Sequence, residues 1–228
     1  MKTKAFKAAF PITIPVMIGY IFMGTAFGIL LSSKGYNFGW AILMSLLIYA
    51  GSMQFVAIGF LTSGLNYLTI IFMTIMVNAR HLFYGLSMIH KFKDMGNKKT
   101  YMIFSLTDET FALISSAVTP PEVDKNWFYF FIALLNQTYW VTGSAIGGII
   151  GSVFTFNTKG IDFVMTALFV VIFVEQWESS KNHIPGLIGL LSSFVCVIAF
   201  GANFILPAMI LILLSITLFR VKIERRIG

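Results

Sequence analysis

With 228 residues, 57% hydrophobic and only 11% charged, this chain carries too little charge to coat a water-facing surface, for which soluble domains use about 25%. The mean hydropathy of +0.85 also argues against a soluble enzyme. The net charge of +7 does not call for a polyanion partner, because eleven of the sixteen Lys and Arg fall in three clusters, each flanking an apolar segment. These are Lys2, Lys4 and Lys7; Lys91, Lys93, Lys98 and Lys99; and Arg220, Lys222, Arg225 and Arg226, a distribution that the positive-inside rule explains.

In chain order, eight apolar segments are predicted: 12–31, 39–62, 66–89, 101–117, 127–150, 161–178, 184–200 and 203–219. Each approaches the roughly 20 helical residues that cross a hydrocarbon core. The expected fold is therefore an all-α integral membrane protein, a polytopic bundle of about 7–8 transmembrane or partly re-entrant segments, forming one domain over 1–228. No small-residue cleavage site follows the first run, which reads as a retained helix. Gly- and Pro-containing breaks separate the segments, among them Pro120–Pro121.

Charge parity singles out the second segment. If all three basic clusters face the cytoplasm, even numbers of crossings must separate them, yet three and five segments intervene. The 39–62 stretch holds Ala50-Gly51-Ser52-Met53-Gln54 at its middle, and Gly51 and Ser52 could unwind a helix there, leaving it re-entrant or broken. Transporters place such breaks at substrate sites. The plainer alternative is an ordinary crossing helix with a packing glycine. Gly24 and Gly28, and Gly143, Gly147 and Gly151, lie at helical spacing and predict close helix contacts.

Polar residues inside apolar runs carry the functional signal. Arg80 lies beside Asn78 and His81, Asp108 and Glu109 fall within 101–117, Asn136 and Gln137 within 127–150, and Gln54 follows the Gly-Ser pair. Such residues face protein or water and are paired, and intramembrane ionisable groups mark transport paths. Arg80 is expected to pair with Asp108 or Glu109. Adjacent residues diverge by about 100° around a helix, so the other acid could face a cavity and carry a proton. Structural alternatives stand beside each reading: Arg80 as a pin on carbonyls, His81 in one fixed hydrogen bond, Asn136 and Gln137 as helix glue. Met53, Phe55 and Tyr139 could form an apolar wall, Asp162 and Glu175 lie near segment ends, and Trp127 and Trp177 read as interfacial aromatics. Cys196 is a lone packing thiol. No metal spacing, Walker A loop or nucleophile elbow is present, so neither a metal nor another cofactor is expected.

The motifs Ala50-Gly51-Ser52-Met53-Gln54-Phe55, Asn78-Ala79-Arg80-His81-Leu82-Phe83-Tyr84-Gly85, Thr107-Asp108-Glu109-Thr110-Phe111-Ala112 and Gln137-Thr138-Tyr139-Trp140-Val141-Thr142-Gly143-Ser144 resemble the AzlC family, the large subunit of bacterial branched-chain amino-acid exporters. The likeness covers nearly the whole chain. It implies a multi-pass cytoplasmic-membrane permease that exports valine, leucine and isoleucine, with methionine a further candidate, is driven by the proton-motive force, and works with a small hydrophobic AzlD-type subunit. A passive channel and a non-transporting assembly subunit are the competing readings.

Overall fold

A computed structural model describes residues 2–64, 66–154 and 183–201, together with positions 163, 166, 167, 170, 173, 174, 177, 178, 204, 207, 208, 210–212, 214 and 215. Among the described residues every regular element is helical: α1 (Lys2–Ser33), α2 (Phe38–Leu47), α3 (Gly51–Ser63), α4 (Tyr67–Met88), α5 (Lys98–Phe104), α6 (Asp108–Ser116), α7 (Lys125–Val153) and α8 (Ile184–Phe200). The chain falls into two units, 1–64 with 77–165 and 65–76 with 166–228. Of the described helices, α1 and α4 are long and apolar enough to cross a bilayer. The segments expected at 161–178 and 203–219 lie largely outside the described residues.

In the first unit α1 packs along α7. At 32 residues α1 is about 48 Å long, more than the roughly 30 Å hydrocarbon core, so it can lift Lys2, Lys4 and Lys7 clear of the lipid. Glycines set its distance from α7. A Cβ on Gly24 would lie 2.9 Å from both Ser144 N and Trp140 O, and one on Gly28 would collide with Ser144 O and Gly148 N. From the other side, a Cβ on Gly143 would lie 2.7 Å from Ile21 O, and one on Gly147 would collide with Thr25 O. The two backbones touch where both sequences are small, the close approach that drives association in lipid. Outward, Ile18 and Phe22 on α1 and Leu82 and Phe83 on α4 are exposed, an apolar surface suited to lipid.

Two of the predicted segments are interrupted. The 39–62 stretch is broken between α2 and α3, at Ile48–Ala50 and not at the glycine-serine pair: Tyr49 takes φ +42° and Ala50 is extended at φ −136°. A left-handed tyrosine costs about 1–2 kcal/mol. Gly51 and Ser52 are helical, which corrects the expectation that they unwind. Gly51 instead lets the Trp140 ring approach, since a Cβ there would lie 3.0 Å from it. The 101–117 stretch, expected as one run, is also broken, at Ser105–Thr107. Thr107, extended at φ −83° and ψ 173°, caps α6 by accepting from Thr110 N. The Tyr49 and Phe104 rings lie 6.3 Å apart, so the two breaks adjoin.

One end of this unit closes on an apolar cluster in which Ala5 and Ala9 pack with Phe92, Met102, Ile114 and Ile132. Lys91 Nζ donates to the carbonyls of Ile114 and Ser115 at 2.7 and 3.0 Å, capping the C-terminus of α6. Lys2 and Lys98 place their ammonium groups 4.5 and 4.0 Å from the Trp127 ring centroid. In the second unit, Pro185 opens α8 in its first turn, Trp177 stacks on His183 at 4.3 Å, and Cys196 is buried.

Candidate functional site

Arg80 reaches from α4 to the two helix starts that follow the breaks. Its Nη1 donates to Asp108 Oδ2 at 2.7 Å and its Nη2 to Ser52 Oγ at 2.9 Å. The pair is only partly shielded, with Arg80 and Asp108 side chains 22% and 32% exposed. Asp108 opens α6, where helical N–H groups favour a carboxylate. Ser52 lies in the first turn of α3, whose capping residue Ala50 has no side-chain oxygen to satisfy the leading amides. Two buried atoms of the ion pair have no hydrogen-bond partner among the described residues, the donor Arg80 Nε and the acceptor Asp108 Oδ1.

The two acids diverge as helical geometry requires. Glu109 turns from Arg80 to α1, where Tyr20 Oη donates to its Oε2 at 2.6 Å. Tyr20 Oη also lies 2.7 Å from Thr107 Oγ1, which is 3.0 Å from Thr110 Oγ1, and Asn136 Nδ2 on α7 donates to Thr110 Oγ1 at 3.0 Å. Tyr20, Thr107, Thr110 and Asn136 are all buried. Asn136 Oδ1 and the nearby Tyr49 Oη have no hydrogen-bond partner among the described residues. Gln137 joins the two breaks: it accepts from Tyr101 Oη at 2.7 Å, and its Nε2 donates to Leu46 O at 3.4 Å.

Other expected site residues are engaged elsewhere. Gln54 is fully buried, accepting from Trp140 Nε1 at 2.9 Å and donating to Ser45 Oγ at 3.1 Å, while Ser45 donates to Ser144 Oγ at 2.8 Å. This clamp holds α2, α3 and α7 together. His81 Nδ1 lies 3.2 Å from the Asn78 carbonyl one turn back, and its ring meets Tyr84 edge-on at 5.7 Å. Of the expected apolar wall, Phe55 is packed edge-on against Phe27, and Tyr139 Oη lies 3.1 Å from Thr13 Oγ1. Asp162 and Glu175 lie outside the described residues. Among the described residues no three His, Cys, Asp or Glu side chains gather closely enough for a metal.

Replacing Gln54 by Leu separates a structural from a binding role. It leaves the Trp140 N–H buried without an acceptor, at about 1–3 kcal/mol, so the thermal unfolding midpoint in detergent is expected to fall. An unchanged midpoint would return Gln54 to the substrate site.

Residues 15–154 match the family model described as AzlC protein. The chain is 52% identical over 222 residues to the branched-chain amino acid transport protein AzlC of Bacillus subtilis, covering 97% of this chain and 87% of that one. It is 43% identical over 222 residues to an uncharacterized membrane protein of Helicobacter pylori, with 97% of each covered. It is 28% identical over 179 residues to the inner membrane protein YgaZ of Escherichia coli, covering 75% of this chain and 72% of that one. No solved structure matches.

Proposed function

Because the chain belongs to the AzlC protein family, we propose that it exports branched-chain amino acids across the bacterial cytoplasmic membrane. It acts as a multi-pass secondary carrier driven by the proton-motive force, not as an enzyme. Valine, leucine and isoleucine are its substrates, with methionine a further candidate, and it works beside a small hydrophobic AzlD-type subunit. The observation that carries this reading is the unpaired donor and acceptor at Arg80 and Asp108. A zwitterion needs a cation with a spare N–H for its carboxylate and a carboxylate with a spare lone pair for its ammonium. The open first turn of α3 adds main-chain donors on the same side as Ser52. Helix interruptions at a polar site are how carriers expose backbone groups to a substrate within the bilayer.

Accumulation of leucine inside cells tests it. In a strain lacking this gene and fed leucine-containing dipeptides, intracellular leucine is expected to rise severalfold, and to fall again when the gene is restored together with the gene for its small subunit. Unchanged leucine would sink the export reading. Flux indifferent to an imposed pH gradient would favour a passive channel, since only a proton-coupled carrier depends on that gradient.

A further inference from the structure

We propose that Glu109 is the proton-carrying group of the carrier, and that the buried chain Tyr20–Thr107–Thr110–Asn136 reverses its hydrogen bonds when Glu109 gains or loses the proton. This rests on the proton-coupled export proposed above and deepens it, because it divides the labour between two adjacent acids. Asp108 is held by Arg80 at 2.7 Å. Glu109 pairs with no lysine or arginine among the described residues and is met by a hydroxyl. The titratable and charged groups facing it are Tyr20 from α1, Tyr49 from the α2–α3 break, Arg80 and Tyr84 from α4, and Asp108 on its own helix.

Donors and acceptors fit a two-state chain. With Glu109 ionised, Tyr20 donates to the carboxylate, so the single Tyr20 proton is spent and its oxygen must accept from Thr107. Thr107 then has no proton left for Thr110, so the donation from Thr107 to Thr110 that the structure shows must turn round, with Thr110 donating to Thr107 Oγ1 while it still accepts from the Asn136 amide. Every hydroxyl points toward Glu109. When Glu109 takes a proton from water on the acidic side, an O–H bond forms on its carboxylate and that group can donate to Tyr20. Tyr20 then donates to Thr107, Thr107 to Thr110, and Thr110 needs an acceptor. Asn136 Oδ1 has no partner among the described residues, and half a turn of the amide brings it to the place held by Nδ2. The nearby Tyr49 Oη, which Thr110 can reach, is a second acceptor. Releasing the proton to water on the other side restores the first arrangement, so no bond other than O–H is made or broken. Asn136 adjoins Gln137, which ties both helix breaks to α7, so the charge state of Glu109 is passed to the segments that would move.

Two measurements on the purified full-length protein test this. Infrared difference spectra between alkaline and acidic buffer are expected to show a protonated-carboxyl band that Glu109→Gln removes, that Asp108→Asn leaves in place and that Tyr20→Phe shifts. The phenylalanine keeps the ring that meets Trp140 at 5.4 Å and removes only the hydroxyl. A band that survives Glu109→Gln, or that Asp108→Asn abolishes, overturns the proposal. In proteoliposomes containing the protein and its small subunit, Glu109→Gln is expected to lose gradient-driven leucine accumulation by about tenfold or more while keeping leucine exchange within about twofold. Wild-type accumulation by Glu109→Gln also overturns it. If the wild-type protein neither exchanges nor accumulates leucine, the export reading fails, and the infrared band alone decides whether Glu109 carries the proton.

Discussion

Arg80→Met is expected to abolish leucine export, cutting the initial efflux rate by about 100-fold or more, while Arg80→Lys retains a small fraction of it. The guanidinium binds Asp108 and Ser52 with different nitrogens, a fork that a single ammonium does not reproduce. Removing it leaves the Asp108 carboxylate without its cation, at about 3 kcal/mol for a shielded pair. That figure corresponds to about two powers of ten, if the loss falls on the transport step. It can also fall on folding, so membrane abundance must be measured beside efflux. The double variant Arg80→Met with Asp108→Asn separates the two, since it removes both charges: abundance is expected to recover and export is not. If Arg80→Met exports at the wild-type rate, the ion pair has no part in the mechanism.

Gly28→Leu is expected to have the largest effect on folding, lowering the amount of intact protein in the membrane by about tenfold or more. A Cβ at this position already collides with main-chain atoms of Ser144 and Gly148, and backbone cannot rotate aside as a side chain can. Overpacking costs about 1–3 kcal/mol even where side chains yield. Here α1 and α7 must separate, which pulls Tyr20 from Glu109 and loosens the Gln54–Trp140 clamp. Gly19, where a Cβ meets nothing within 4 Å, is the control: Gly19→Leu is expected to leave abundance close to wild type. Equal loss from both variants would show that close approach is not what Gly28 provides.

The helical class, the small-residue contact and a pairing of Arg80 with one of the two acids at 108–109 could be read from composition, spacing and the cost of a charge in lipid; which acid it is could not. The second helix break was less visible. Hydropathy averages over Ser105-Leu106-Thr107, but Thr107 followed by two acids is a helix-start signature that would have placed it. The first break was expected two residues too late, because glycine is the usual marker of irregular backbone, whereas the left-handed residue is Tyr49. Nothing local distinguishes Tyr20 from the aromatics that face lipid. Its role depends on α1 lying against α6 and α7, a tertiary fact that hydrophobic periodicity does not carry. Gln54 likewise reads as a candidate ligand until its partners on α2 and α7 are seen.

The cap that Lys91 places on the last carbonyls of α6 has a mechanical consequence. Arg80 holds the first residue of the same helix, so α6 is fastened at both ends to one stretch of chain, the C-terminal half of α4 and the turn after it. Sliding one helix along the other would break both fastenings together. The pair must travel as a single strut, turning on the non-helical joints that flank α6, 105–107 before it and 117–124 after it.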